Sequence, residues 1–403
     1  MIWFVLLECV LGCACSSPPT HGRMHVVVSW PGVDILFSSD AAKNAALANG
    51  SYDPSKMTVW SILPYGDRLF LFCPNQFKGT YSTVNFIYMN DVTNIESPKL
   101  RPYPPTLNSI VSVFRAVTSC EDYHMYFVDD GVDSFYDVRV RRHPPRLFKV
   151  HLPSDTLRHL YTLAPDDYTD TSAFSNLVVD QCGDAYVVYI CDLTDYAVVV
   201  VDLHRNASHR VRHPYFVMDP FSAFLDTPAG YRHTFLNDGV AALALSPCLE
   251  HKSDRTLYFA SSGGRHLFAV STDILRDKTL SSDTSKYRVV GYRGDRSQSN
   301  NLVYNTQTDV MLYGTTQENS LYCWNTRKGL TPQTQRLVLR DDAWYRTPND
   351  LQEDCHGGLW ALANNWIEGL YRNITGSASV SEGANIVVLK GCARKMASVC
   401  TGM

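Results

Sequence analysis

One phrase recurs six times along this chain. A turn with Asp or Gly leads into a short strand in which apolar residues alternate with small or polar ones. The copies are DRLFLFCP (67–74), YHMYFVDDG (123–131), DAYVVYICD (184–192), RTLYFASS (255–262), DVMLYGTT (309–316) and GGLWALANN (357–365). Period-two alternation marks a half-buried strand. A strand-like run precedes each copy: TVWSILPYGD (58–67), VSVFRAVTSC (111–120), SNLVVDQC (175–182), DGVAALALSPC (238–248), NNLVYNTQTD (300–309) and PNDLQEDC (348–355). Another follows each: TVNFIYM (83–89), PRLFKVHL (145–152), YAVVVVDLH (196–204), RHLFAVST (265–272), SLYCWNTR (320–327) and EGLYRNI (368–374). Six units of about 50 residues, with no amphipathic helix between them, predict an all-β chain folded as a six-bladed β-propeller. Closing the ring protects strand edges that an open stack would expose. Two β-sandwiches would account for the strands but not for a sixfold phrase. NIVVLK (385–390) is expected as the outer strand of the sixth unit, and MHVVVSW (24–30) could complete a blade from the other end of the chain. One domain over 24–395 follows, with 396–403 as a C-terminal tail.

The N-terminus speaks to compartment. Residues 2–12, IWFVLLECVLG, form an apolar run broken by Glu8. It is too short to cross a bilayer and suits the apolar region of a secretory signal, which places a signal peptide at 1–15 and the mature protein outside the cell. An apolar N-terminal strand, or a lipoprotein signal ending at Cys13, are the other readings. Acceptor sequons at Asn49, Asn206 and Asn373 fit a secreted glycoprotein. The net charge of −4 gives no electrostatic footprint for nucleic acid, and no later stretch is long and apolar enough for a membrane helix. Of twelve cysteines, nine lie beyond residue 15: 73, 120, 182, 191, 248, 323, 355, 392 and 400. Four of them, Cys120, Cys182, Cys248 and Cys355, fall at the same turn of four different units.

Several segments resemble the yellow/major royal jelly protein family. They include SPKLRPYPP (97–105) before LNSIVSVFRAV, PPRLFKVHL (144–152), FSNLVVD (174–180), HPYFVMDPFSAFL (213–225) before LNDGVAALALSP, RTLYFASSGGRHLFAVSTDILRD (255–277), GDRSQSN (294–300), LYCWNT (321–326) and TPNDLQ (347–352). Their order and spacing over most of the chain carry the resemblance. It implies a six-bladed propeller and an extracellular protein. The implied roles are pigmentation, cuticle or eggshell formation, or the binding of biogenic amines, with no cofactor. Dopachrome isomerisation is the enzymatic alternative, and calcium-dependent, lactonase-like hydrolysis a third. The implied partners are a small aromatic amine or catechol, and extracellular matrix proteins. Family members carry a cysteine where this chain has Asn108 and Ser109, and another at His143. That implies a Cys120 without its usual partner and a different disulfide framework.

A propeller places function where its innermost strands begin. Here those starts are polar: Ser109, Asn176, Asp238, Gln298 with Ser299, and Asn349 with Asp350. Polar groups converging from several blades can orient a ligand, though Asn and Asp also favour turns for local reasons. Asn349, Asn176, Asp238, Gln298 and Ser299 are therefore the candidate ligand contacts. Trp344 or Tyr345 would offer an aromatic face to a cation. Asp238 and Asp350 are the candidate bases if the protein is an isomerase. Asn176, Asp238 and Asn349 have the oxygen chemistry of calcium ligands but fall short of a full set. No HExxH, CxxC, GxSxG, Walker or GxGxxG motif is present. The run Arg139, Arg141, Arg142 and Arg146 could steer an acidic partner or simply be a solvated loop.

Overall fold

The computed structural model describes residues 24–92, 98–103, 109–225, 234–249, 254–364, 366–367 and 386–401. Six four-stranded antiparallel sheets ring a common axis as a six-bladed β-propeller. Blade 1 runs outward through Ser61–Tyr65, Arg68–Phe72, Val84–Tyr88 and Arg101–Pro102. Blade 2 uses Ala116–Ser119, His124–Asp129, Arg146–His151 and Thr156–Thr162. Blade 3 uses Phe174–Asp180, Val187–Asp192, Ala197–Asp202 and Ala207–Arg212. Blade 4 is Val240–Leu245, Thr256–Ser261, His266–Ser271 and Arg288–Tyr292. Blade 5 is Val303–Asn305, Val310–Thr315, Ser320–Asn325 and Gln335–Arg340.

Blade 6 closes the ring from both ends of the chain. Its strands are Pro348–Glu353, Gly358–Ala363, Ile386–Cys392 and, outermost, His25–Trp30. The segment NIVVLK is thus the third strand and not the outer one. MHVVVSW takes the outer position, and EGLYRNI (368–374) lies outside the described residues. The two segments have similar apolar patterning, and what separates them is pairing across the sheet, to which local pattern is blind.

Second strands such as Val187–Asp192 and Val310–Thr315 are buried along their whole length, because neighbouring blades cover both faces. Each pair of neighbouring blades shares an apolar cluster. Leu69, Leu71, Trp360 and Leu362 pack between blades 1 and 6, and Val188, Ile190, Tyr126 and Val128 between blades 2 and 3. The outer strand Thr156–Thr162 is polar and solvent-facing.

The four cysteines that share a turn position pair with one another. Cys120–Cys355 joins blades 2 and 6, and Cys182–Cys248 joins blades 3 and 4, both at the ends of innermost strands. Cys120 is therefore not left without a partner. Cys323–Cys400 pins the helix Ala393–Thr401 to blade 5. Met396, Ala397 and Cys400 of that helix are buried, so residues 396–401 are docked structure and not a tail. Cys392 is also disulfide-bonded, whereas Cys73 and Cys191 are buried free thiols. The expected signal segment 1–15 lies outside the described residues.

Candidate ligand site at the channel mouth

Every blade contributes to one cavity on the propeller axis. Trp60 and Ser61 come from blade 1, Arg115 from blade 2, and Ser175 and Leu193 from blade 3. Ala241 and Ser262 come from blade 4, Asn300 from blade 5, and Asn349 and Asp350 from blade 6. Three of these residues share a backbone device. Strand pairing slips between Phe174 and Asn176, between Val240 and Ala242, and between Pro348 and Asp350. The residues skipped at these bulges are Ser175, Ala241 and Asn349, and all three line the cavity. A bulge releases one residue from the ladder and re-aims its side chain, and bulges of this kind concentrate at functional sites.

The floor is a buried ion pair. Arg115 Nη1 lies 3.0 Å from Asp350 Oδ1, and its Nη2 donates to the Leu351 carbonyl at 3.0 Å. Asp350 also accepts from Ser61 Oγ at 2.6 Å, the Ile62 N–H at 3.0 Å, the Leu351 N–H at 2.8 Å and Gln352 Nε2 at 3.1 Å. Its oxygens are fully occupied, so Asp350 locks blades 1, 2 and 6 together. Asn349 donates to the Trp60 carbonyl at 2.5 Å and accepts from Asn300 Nδ2 at 3.2 Å. The free space here is about 10 Å³, the room of one water. An aromatic ligand cannot enter this layer and would have to sit above it.

Above the floor the wall is aromatic. Trp60 meets Phe114 edge-on at 5.6 Å and lies 5.6 Å from Trp366, and Phe114 lies 6.1 Å from Phe135. Phe135 packs on Ala173, Leu193 and Ala241, and Tyr136 adjoins it at 4.9 Å. Ser175 Oγ and Trp366 Nε1 are buried with no hydrogen-bond partner among the described residues.

Asp238 stands at the rim, on the chain entering blade 4. Leu236, two residues earlier, packs with Trp366 and Trp60. The Asp238 side chain is half-buried, and desolvation by the surrounding protein pushes its carboxyl up to about 7. Desolvation and then the charge of Asp238 raise the phenol of Tyr196, and the same charge lies close enough to raise that of the exposed Tyr136. Near neutral pH the mouth thus holds one carboxyl poised between its acid and its base.

The expected contacts divide. Asn349 and Asp350 line the cavity, and Asp238 stands at its rim. Asn176 donates to the Ala241 carbonyl at 2.7 Å, with its oxygen held by the Leu177 N–H. Gln298 bonds the Ser222 carbonyl and accepts from Gln317 at 2.7 Å, while Ser299 Oγ donates to the Asn301 carbonyl at 2.9 Å. These three side chains tie blades or turns together, and their neighbours Ser175 and Asn300 reach the cavity instead. Asp341 caps the turn that follows it, accepting the N–H groups of Ala343 and Trp344. That turn leaves Trp344 exposed and sends Tyr345 into the core between blades 5 and 6. The aromatic face comes instead from Trp60, Phe114, Phe135 and Trp366, whose only sequence signal is a large ring beside a strand start.

Among the described residues no three His, Cys, Asp or Glu side chains are grouped to hold a metal. The oxygens of Asn176 and Asn349 are already engaged within the protein. The arginine run is not a free basic patch. Arg139 donates to the Ser172 carbonyl, Arg141 to those of Asp130 and Thr169, and Arg142 and Arg146 pair with Asp133 and Asp129. Asn49 and Asn206 are exposed, and Asn373 lies outside the described residues.

Fold and site together define a closed six-bladed propeller organised around an axial mouth. The family model for major royal jelly protein matches residues 111–379. The chain belongs to the major royal jelly protein family. Protein yellow of Drosophila melanogaster is 29% identical over 350 residues, covering 83% of this chain and 63% of that protein. Protein yellow of Drosophila guanche is 28% identical over 373 residues, covering 89% and 64%. The chain thus spans somewhat less than two thirds of the length of these relatives. Among solved structures, virginiamycin B lyase from Staphylococcus aureus shares 8% identity at a TM-score of 0.42, covering 84% of this chain and 95% of that one. A nidogen/laminin complex shares 8% at 0.44, covering 78% and 85%. Both likenesses are loose.

Proposed function

We propose that this is a secreted, yellow-type propeller that binds a small aromatic ligand bearing an amine or a catechol at the channel mouth. In this reading Asp238 is the polar anchor, and Trp60, Phe114 and Phe135 are the wall. The observation that carries it is a desolvated carboxyl, raised to about 7, beside a cluster of aromatic rings. Aromatic faces and a carboxylate are complementary to an aromatic amine. Secretion is supported by the disulfides, which persist in oxidising compartments. No described helix is long and apolar enough to cross a membrane. A role in pigmentation, cuticle or eggshell would then follow from the ligand and from matrix partners. Calorimetric titration of the mature protein with dopamine, octopamine and serotonin tests the reading. Heat that saturates, and that strengthens as pH rises through about 7 while Asp238 ionises, is expected. No heat with any of the three would remove amine binding.

The same carboxyl supports a second reading, dopachrome isomerisation. A base that takes a proton at neutral pH needs a pKa near the working pH, and Asp238 has one. Loss of dopachrome absorbance faster than buffer, and slowed in Asp238→Asn, would establish it. A rate equal to buffer would exclude it.

A further inference from the structure

The mouth is roofed by a hairpin of blade 2, and the foot of that hairpin carries a histidine claimed by two partners. Val132–Asp133 pairs with Val140–Arg141, and the tip between them bears Phe135 and Tyr136. The N–H groups of these two residues donate to the carbonyls of Asn75 and Gln76 in blade 1, at 3.0 and 2.8 Å. Phe135 reaches over to Leu193 and Ala241 of blades 3 and 4. The roof therefore leans on three blades besides its own.

At the foot, Gly131 adopts φ +67°, and a Cβ there would stand 2.3 Å from the His143 carbonyl and 2.6 Å from its Nδ1. Only glycine lets the imidazole close on the chain at this point. His143 Nδ1 lies 2.8 Å from the Pro144 carbonyl and so carries a proton in either state. Nε2 lies 2.8 Å from Arg146 Nη2, a donor, and 3.2 Å from Asp129 Oδ2, an acceptor. A neutral ring can only accept from Arg146, and a charged ring can only donate to Asp129. Arg146 Nη2 also faces Asp129 Oδ2 at 2.8 Å and the Ser109 carbonyl at 2.6 Å. Its two N–H groups thus have three takers when the ring is neutral and two when it is charged.

We propose that His143 is a proton-operated clamp on the roof of the mouth: protonation moves its Nε2 from Arg146 to Asp129 and fastens the hairpin foot, and deprotonation loosens it. The regulatory consequence rests on the ligand reading given above, but the clamp itself does not. The hydrogen bond to Asp129 raises the histidine above its ordinary value. The fastening is then complete below that ordinary value and fades as pH rises through the raised one. On the hairpin itself, Asp137 accepts the Lys78 N–H at 2.9 Å and Arg139 donates to the Ser172 carbonyl at 2.8 Å. Arg142 is paired with Asp133 at 2.7 Å, and Asp129 is held low by His143, backbone N–H groups and Arg146 against its own burial. Asp130 is buried, raised by desolvation, and faces Arg141. Asp238 faces Tyr136 across the mouth and titrates at about 7, so it needs its own control.

Hydrogen exchange of segment 131–142 in the mature protein, corrected for intrinsic rates, reads the clamp between about pH 5.5 and 8. Wild type is expected to lose protection several-fold across that range. His143→Gln should show no such step, and Asp238→Asn should keep it. A flat wild-type profile, or an unchanged step in His143→Gln, overturns the clamp. The wild-type profile decides alone if His143→Gln does not fold. Dopamine titration separates the two claims. A pH step without dopamine heat leaves the clamp standing and removes the ligand reading, and heat without a step does the reverse.

Discussion

Replacing Asp238 by Asn should stabilise the protein and cost it its ligand. The unfolded carboxyl titrates at its ordinary value of 3.8, and the folded one at about 7. Between these values the unfolded chain has given up a proton that the folded one still holds, so wild-type stability falls as pH rises from about 4 to about 7. At about 1.4 kcal/mol per pH unit the full effect is about 4 kcal/mol. Solvent that reaches the half-buried side chain lowers this, and about 2–4 kcal/mol is the working figure. Asparagine keeps the shape without the charge, so the variant should lack this decline. Urea melts of both proteins at about pH 3 and pH 8 read it directly as a change in midpoint at constant slope. The variant should gain on wild type by that amount at the higher pH and match it at the lower. A variant no more stable than wild type at pH 8 would refute the desolvation argument. A charge kept where it destabilises, without a counter-ion among the described residues, is what a binding or catalytic group looks like.

Asp350 should behave in the opposite way. Asp350→Ala strands the buried Arg115 charge and the Ile62 N–H, so a loss of about 3–5 kcal/mol is expected in the same melts, and Asp350→Ala/Arg115→Met should recover part of it. Opening Cys120–Cys355, which closes 235 residues of chain, should cost about 5 kcal/mol on the chain-entropy account, read as a lower midpoint in Cys120→Ser/Cys355→Ser. Burial pushes the Cys73 thiol up to about 12 and raises Cys191 well above its ordinary value, so neither should react with a disulfide reagent until denaturant is added.

The architecture was written plainly in the sequence because a propeller repeats one local pattern, and alternation reports which face of each strand is buried. Pairing was written less plainly. NIVVLK and EGLYRNI look alike, and only the arrival of MHVVVSW from the other end decides which position NIVVLK takes. The site was legible to within one residue. Asn176 and Ser299 lie next to Ser175 and Asn300, which reach the cavity; in the pleated strand of blade 3 a shift of one turns a side chain to the opposite face, and Ser299 and Asn300 lie on the chain just before the blade 5 strand. The bulge at Ser175 sets that shift in blade 3, and apolar alternation gives no sign of where a bulge falls. Trp344 and Tyr345 were expected at the mouth, but the Asp341-capped turn aims them elsewhere. Arg115 carried a faint signal, a lone charge in the apolar run VFRAV that matches a lone carboxylate in PNDLQ.

A crystal structure of the mature protein soaked with dopamine at about pH 8, where Asp238 is ionised, would locate the ligand outright. The proposed binding mode puts the ring above the Arg115–Asp350 layer, against Trp60 and Phe114, with the ammonium within hydrogen-bond distance of the Asp238 carboxylate. Dopamine bound elsewhere, with Asp238 contacting only water, would contradict it.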